Sequence, residues 1–372
     1  MRSPLSAAWL LGECLAGKDE ELDRVVIELL EPCVRKVATL AYKRTPGTFG
    51  PYDQKSLRVS PIKTLARLYA KCDRKQEARQ LLYGLTDLTN RYPLLEGYAG
   101  NTIESCRNGQ RCLACHRVES DASTFRSFYD AIDMTDAMTD IGYPVDSLTA
   151  LARMDKSYGH AFDSSQGWLD GSPGWDGYLG FGSRHEEFKE LKAKAETAIT
   201  PRTVIEALEL DTFQRSSTDG KVALELMLSV RGEGPDAQAT VFSPVVDILK
   251  LAVESKGPNA AKDIAELDKR LVTLSEQHPK DIEAGIAATV FAFLRNDLDS
   301  AKGRLKQLQS ITDYPESDGA AFWLVAREAL RHDQTRIIGA VLAERAIVAA
   351  EAQPNSRLKE AILRERDSMR SE

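Results

Sequence analysis

Residues Pro61–Leu82 read PIKTLARLYAKCDRKQEARQLL, and this stretch decides the fold. Ile62, Leu65, Ala66 and Tyr69 recur at helical spacing, so they share one face of a helix. Ala78 and Leu82 stand at the offsets of a second helix that folds back on the first. Small side chains at Ala66 and Ala78 let two antiparallel helices approach closely, while Ile62, Tyr69 and Leu82 fill the space around that contact. Pro61 suits a first helical turn, where its missing N–H is no loss, so the spacing predicts a helix opening there.

The rest of the 372-residue chain fits this beginning. Apolar residues make up 42% and charged residues 28%, enough apolar surface to build a core and too much for gross disorder. Ala and Leu are abundant, and aromatics are only 7%; this mix favours helix over sheet. The predicted fold class is therefore all-α. Net charge is −7, with the first third basic and the remainder acidic, which reads as solvated helix surface. No dense basic stripe with base-stacking aromatics is present, so no nucleic-acid partner is expected. The longest apolar run, Ile286 to Leu294, is too short to cross a bilayer, so no membrane insertion is expected. The N-terminus has one Arg and a short apolar stretch interrupted by Glu13, with no small-residue cleavage site. The expected location is the cytoplasm, although Met1 need not be the natural start.

Working outward, Glu20 to Tyr42 carries apolar residues at helical spacing, with Pro32 expected to split or kink the helix. Thr45 to Ser56 reads as a loop. Phe125 to Ile141 is a helical run that "IGYPVD" breaks, with Gly142 as the C-cap and Pro144 starting the next helix. Asp130, Asp133, Asp136 and Asp140 fall on one face of this run, where they repel one another; the face is read as solvated in preference to a cation site. In the last third, Pro279, Pro315 and Pro354 are 36 and 39 residues apart, one helix–turn–helix unit each. Residues 159–182 hold seven glycines and the aromatics Phe162, Trp168, Trp175, Tyr178 and Phe181, too glycine-rich for a helix. The domain plan is a helical-repeat region at 1–158 with a hairpin at 61–92, a Gly/aromatic-rich loop at 159–184, and a second helical-repeat region at 185–372.

Ile62, Leu65, Ala66 and Tyr69, followed by Ala78 and Leu82, take six positions of the tetratricopeptide pattern W-x2-L-G-x2-Y…A-x3-F. Ile replaces Trp, Ala replaces Gly and Leu replaces Phe. With the "GYPVD" turn and the Pro-punctuated hairpins, the chain resembles tetratricopeptide-repeat proteins, in particular uncharacterised bacterial proteins built from degenerate repeats. One segment of about 30 residues carries the pattern well and a further 100 or so carry it poorly. The resemblance implies an α-solenoid of antiparallel helical hairpins. It also implies a non-catalytic scaffold for protein–protein interaction, binding a peptide or protein partner in a concave groove. It names no partner and transfers no ligand-binding residue.

One chemical motif stands apart. Cys112, Cys115 and His116 form CxxCH, the sequence that attaches c-type haem through two thiols and ligates its iron through the histidine. The alternative function is thus a c-type haem electron carrier, with Met134, Met138 or Met154 as the second axial ligand. Adding Cys106 gives a zinc reading, and a helix-start position for the thiols gives a redox reading. Incidental thiols, no cofactor and no enzymatic activity are the expectation, because no export signal accompanies the motif. No Gly-x-Ser-x-Gly elbow or HExxH is present.

Overall fold

The computed structural model describes residues 19–39, 56–79, 81–82, 135–149, 151, 181–209, 214–216, 222–224, 229–231, 240–279, 282–310, 319–351 and 358–371. These are mostly helical. The chain divides into two compact units, Met1–Ala195 and Glu196–Glu372. The second unit starts eleven residues beyond the expected start of the second helical region at 185. Residues 181–184, expected in the Gly/aromatic-rich loop, belong to a helix, and 159–180 lie outside the described residues.

In the first unit, α1 is Glu20–Thr39 and α2 is Ser56–Lys71. Helical residues follow at 75–79 and 81–82 (α3), 135–140 (α4) and 144–149 with 151 (α5), then α6 at Phe181–Thr197, which runs two residues past the division. α1 buries Val26, Ile27, Leu30 and Val34 and packs on α2. It is not split at Pro32, which sits on the exposed side where the unpaired carbonyl of Glu28 can be hydrated. α2 begins at Ser56, one turn before the expected start, so Pro61 lies in the second turn and forfeits one intrahelical bond, to the Leu57 carbonyl.

Three helix pairs turn in the same way. Asp73, Gly142 and Asn296 have φ of 58°, 87° and 58°, the left-handed conformation that ends a helix. Arg74, Tyr143 and Asp297 then donate their backbone N–H back to the carbonyls of Tyr69, Met138 and Ala292, at 2.8, 2.9 and 2.9 Å. A new helix starts on the next residue each time. Asp and Asn adopt this conformation because their short polar side chains tolerate it, and Gly because it has none.

The second unit contains α7 (Pro201–Glu209), four three-residue strands, and then α8 (Pro244–Glu254), α9 (Ala260–Gln277), α10 (Ile282–Leu294), α11 (Leu298–Ser310), α12 (Gly319–Leu330), α13 (Arg336–Glu351) and α14 (Leu358–Ser371). Their starts follow local chemistry. Ser243 caps α8 by accepting from Val246 N–H, with Pro244 behind it, and Asp297 caps α11 by accepting from Ser300 N–H at 3.1 Å. α10 and α12 are buried on nearly every side, with Phe291, Phe322, Trp323 and Val325 at 0% exposure. They pack on each other; α8 packs on α10, and α14 touches α12. Alongside, α9 and α11 pack on α10, α13 packs on α12, and α11 touches α13. α13 closes on α12 through Gly339, Ala343, Ala346 and Ala350, all buried small residues at spacings of four, three and four.

Within this mostly helical fold, which fits the all-α expectation, the described residues include four short strands. β1 (Gln214–Ser216) pairs antiparallel with β2 (Val222–Leu224), and β3 (Ser229–Arg231) with β4 (Thr240–Phe242). Thr-Asp-Gly and Gly-Glu-Gly-Pro separate them in sequence, turn chemistry that favours hairpins over helix. β4 lies against α12 and α14. There Glu365 of α14 accepts from Trp323 Nε1 at 2.7 Å and from Val241 N–H at 2.6 Å, and Arg327 donates to the Val241 carbonyl at 3.1 Å.

Candidate functional site: a charged cleft beside α2

All six positions of the repeat pattern are buried. Ala66, Ala78 and Leu82 are at 0% exposure, Ile62 and Leu65 at 1%, and Tyr69 at 4%. They form the inward side of α2 and α3. Thr64, Arg67, Leu68 and Lys71, at spacings of three, one and three, define a neighbouring face of α2. With Ala70 and with Asp140, Ile141 and Gly142 from the end of α4, this face lines a cleft of about 620 Å³. Leu68 and Ile141 supply its apolar floor, both nearly inaccessible to water.

The acidic face of α4 has its cations built in. Arg67 donates through Nε to Asp140 at 2.7 Å and through Nη2 to Asp136 at 2.9 Å. Lys194, from α6, donates to Asp136 Oδ1 at 2.7 Å and to Oδ1 of Asp140. Repulsion between Asp136 and Asp140, four residues apart on one helix, is thereby turned into a bridge from α2 through α4 to α6. Burial alone would push the Asp140 carboxyl up, but the hydrogen bonds and charges of Lys194 and Arg67 outweigh it and hold it below the usual carboxylate range. Burial likewise opposes the charge on Lys194, and its bonds to Asp136 and Asp140 raise it above the ordinary lysine value. Asp130 and Asp133 lie outside the described residues.

A second tie runs behind the cleft. Arg79 of α3 grips Asp146 of α5 with two bonds of 3.2 Å, and the Asp146 side chain is only 1% exposed. Lys75 Nζ at 4.8 Å and Arg79 Cζ at 5.5 Å from the centroid of the Tyr143 ring make cation–π contacts at the hairpin turn. A Cβ on Gly142 would stand 2.9 Å from Lys75 Cε and Nζ, so glycine serves both the backbone turn and this close approach. Within the α4–α5 hairpin, Ser147 Oγ donates to the Thr135 carbonyl at 2.9 Å.

Periodicity brought Asp136 and Asp140 into view. It did not reveal Arg67 and Lys194 as their partners, because those contacts span 73 and 54 residues for Asp140. The one local signal was the Thr64–Arg67–Lys71 spacing beside the repeat positions. Cys112, Cys115, His116, Cys106, Met134 and Met154 lie outside the described residues, and Met138 is buried. Among the described residues no group of three or more His, Cys, Asp or Glu could hold a metal ion, and no helix is long and apolar enough to cross a membrane. Compared with family models, curated proteins and solved structures, the chain matches none.

Proposed function

We propose that this protein is a non-catalytic interaction scaffold of the tetratricopeptide-like, α-solenoid kind, working without a cofactor and holding a segment of a partner protein in the cleft beside α2. The observation that carries this reading is the pair of ionic ties between the α2–α3 and α4–α5 hairpins. Arg67 joins the first helices of the two hairpins, α2 to α4, and Arg79 joins their second helices, α3 to α5. First helix on first and second on second is how stacked repeats bury a continuous core while contacting only their neighbours. The same logic runs through α8 to α14, where helices pack on those one and two places along the chain. The shared three-residue turns at Asp73, Gly142 and Asn296 support it further. A cleft of about 620 Å³ falls within the range of ligand-holding pockets, and its mixed apolar and charged lining suits a peptide.

Peptide display on the purified chain tests this. Enrichment of a sequence class that binds the native chain, and that Ala70→Arg abolishes by filling the cleft, is the expected result. Circular dichroism of the variant must stay unchanged. Selection that yields no peptide, or peptides indifferent to Ala70→Arg, removes the cleft reading.

A further inference from the structure

Resting on the interaction-scaffold reading, we infer that the segment held in this cleft is acidic, with its carboxylates bound by Arg67 and Lys71. The basis is an imbalance of hydrogen-bonding capacity along the walls. All four carboxylate oxygens of Asp136 and Asp140 accept from a cation of the protein itself: the Oδ1 atoms from Lys194, the Oδ2 atoms from Arg67. The carboxylate charges are thus offset from within the protein, while donor capacity is left over. Arg67 uses Nε and Nη2 for its two aspartates, and its Nη1, with two N–H groups, has no partner among the described residues. Lys71, one turn further along α2, is exposed on the cleft wall and likewise has no partner among the described residues.

Lys75, the other lysine near this end, is engaged over the Tyr143 ring and against Gly142, at the C-terminal end of α4 where a cation meets the helix dipole. It does not compete for the ligand. Arg67 is also held rigid by its two aspartates, so presenting Nη1 needs little further ordering. A basic peptide would meet carboxylates whose charge is already offset, and repulsion from Lys71. A neutral peptide has carbonyl oxygens for these donors but no charge to set against theirs. A ligand that brings its own carboxylates gives Arg67 and Lys71 charged acceptors, the stronger pairing.

The test uses the full chain and fluorescein-labelled octapeptides matched in length and aliphatic content: one rich in Asp and Glu, one with Asn and Gln in their place, one with Lys. Anisotropy titration is expected to show the acidic peptide binding tightest. Its affinity should fall about tenfold on Lys71→Glu and fall again between roughly 50 and 500 mM salt. Lys306→Glu, a reversal at an exposed lysine of α11, is expected to leave binding unchanged. Equal binding of the acidic and neutral peptides, with no response to Lys71→Glu, would overturn the acidic assignment and leave the scaffold reading standing. Preference for the Lys peptide would overturn it in the same way. Failure of all three peptides, together with a display selection that yields nothing, would remove the scaffold reading itself.

Discussion

Replacing Gly339 by alanine tests the packing of α12 on α13 with a single methyl group. A Cβ at this position would lie 2.9 Å from Ala329 Cβ, 3.0 Å from Leu330 N and 3.1 Å from Ala329 C. Carbon atoms in good contact stand about 3.5–4.0 Å apart, so α13 must retreat by roughly 0.5–1 Å, and a gap of that size forfeits a quarter to a half of the dispersion well of each atom pair left behind. Two of the three obstructing atoms are backbone, so no rotamer change relieves the clash. Overpacking of this kind costs about 1–3 kcal/mol, and alanine's better helix propensity returns about 1 kcal/mol, leaving a net loss of up to about 2 kcal/mol.

The same substitution at Gly303, on the exposed side of α11 with nothing within 4 Å of the added Cβ, has only the propensity gain and should stabilise by about 0.5–1 kcal/mol. Gly285→Ala should fall between, because its only close neighbour is the flexible Leu308 Cδ2 at 3.2 Å. Calorimetry of the three variants reads the order directly. For a unit of this size each kcal/mol moves the midpoint by about 2–4 °C, so Gly339→Ala should melt below Gly303→Ala by roughly 5 °C at the middle of these ranges. Should Gly339→Ala melt at or above Gly303→Ala, the close approach of the two helices would be wrong, and with it the reading of α13's small-residue face.

Asp146→Ala removes the buried carboxylate that Arg79 bonds twice and should cost about 3–5 kcal/mol, measured by urea denaturation. Ala66→Leu or Ala78→Leu should each cost about 1–3 kcal/mol by overpacking at positions with 0% exposure; no loss in either would show that the two helices do not touch there. The Asp136–Asp140–Lys194 bridge should make stability pH-dependent at both ends. Asp140, lowered from 3.8, contributes stability that is present above that value and lost as pH falls through its folded pKa. Lys194, raised from 10.5, contributes stability that is present below that value and lost as pH rises through its folded pKa. Asp140→Asn should therefore flatten the acid limb of a stability–pH profile, and Lys194→Met the alkaline limb. Both changes should be modest, because Lys194 is half-exposed and screened by salt.

What the sequence made legible was whatever depends on near neighbours. The inward side of α2, the Gly142 turn with Pro144 behind it, and the helices after Pro279 and around Phe322 and Ile337 follow from spacing, cap chemistry and the conformations open to Gly and Pro. Boundaries were less legible where propensity and context compete. Pro61 and Pro32 both lie inside helices, since a proline's lost bond is a local penalty that the burial of Val26, Leu30, Ile62 and Leu65 can outweigh. The short strands at 214–242 were missed because three-residue runs carry too little alternation to stand out from helix.

The cleft was the least legible part, for a reason that also explains how it is built. A run of aspartates reads as a face that repels itself, and a lone Arg or Lys on another helix reads as solvated surface. Only folding brings Arg67, Asp136, Asp140 and Lys194 to one place. Once they meet, the charge of the aspartates is offset, and the surplus donors of Arg67 and Lys71 are what the proposed acidic partner would find. The sequence shows Asp130, Asp133, Asp136 and Asp140 on one face, which reads as solvated in preference to a cation site. In the fold Asp136 and Asp140 instead meet Arg67 and Lys194, so the protein supplies their cations itself, and with Lys71 beside them the charge left over is positive.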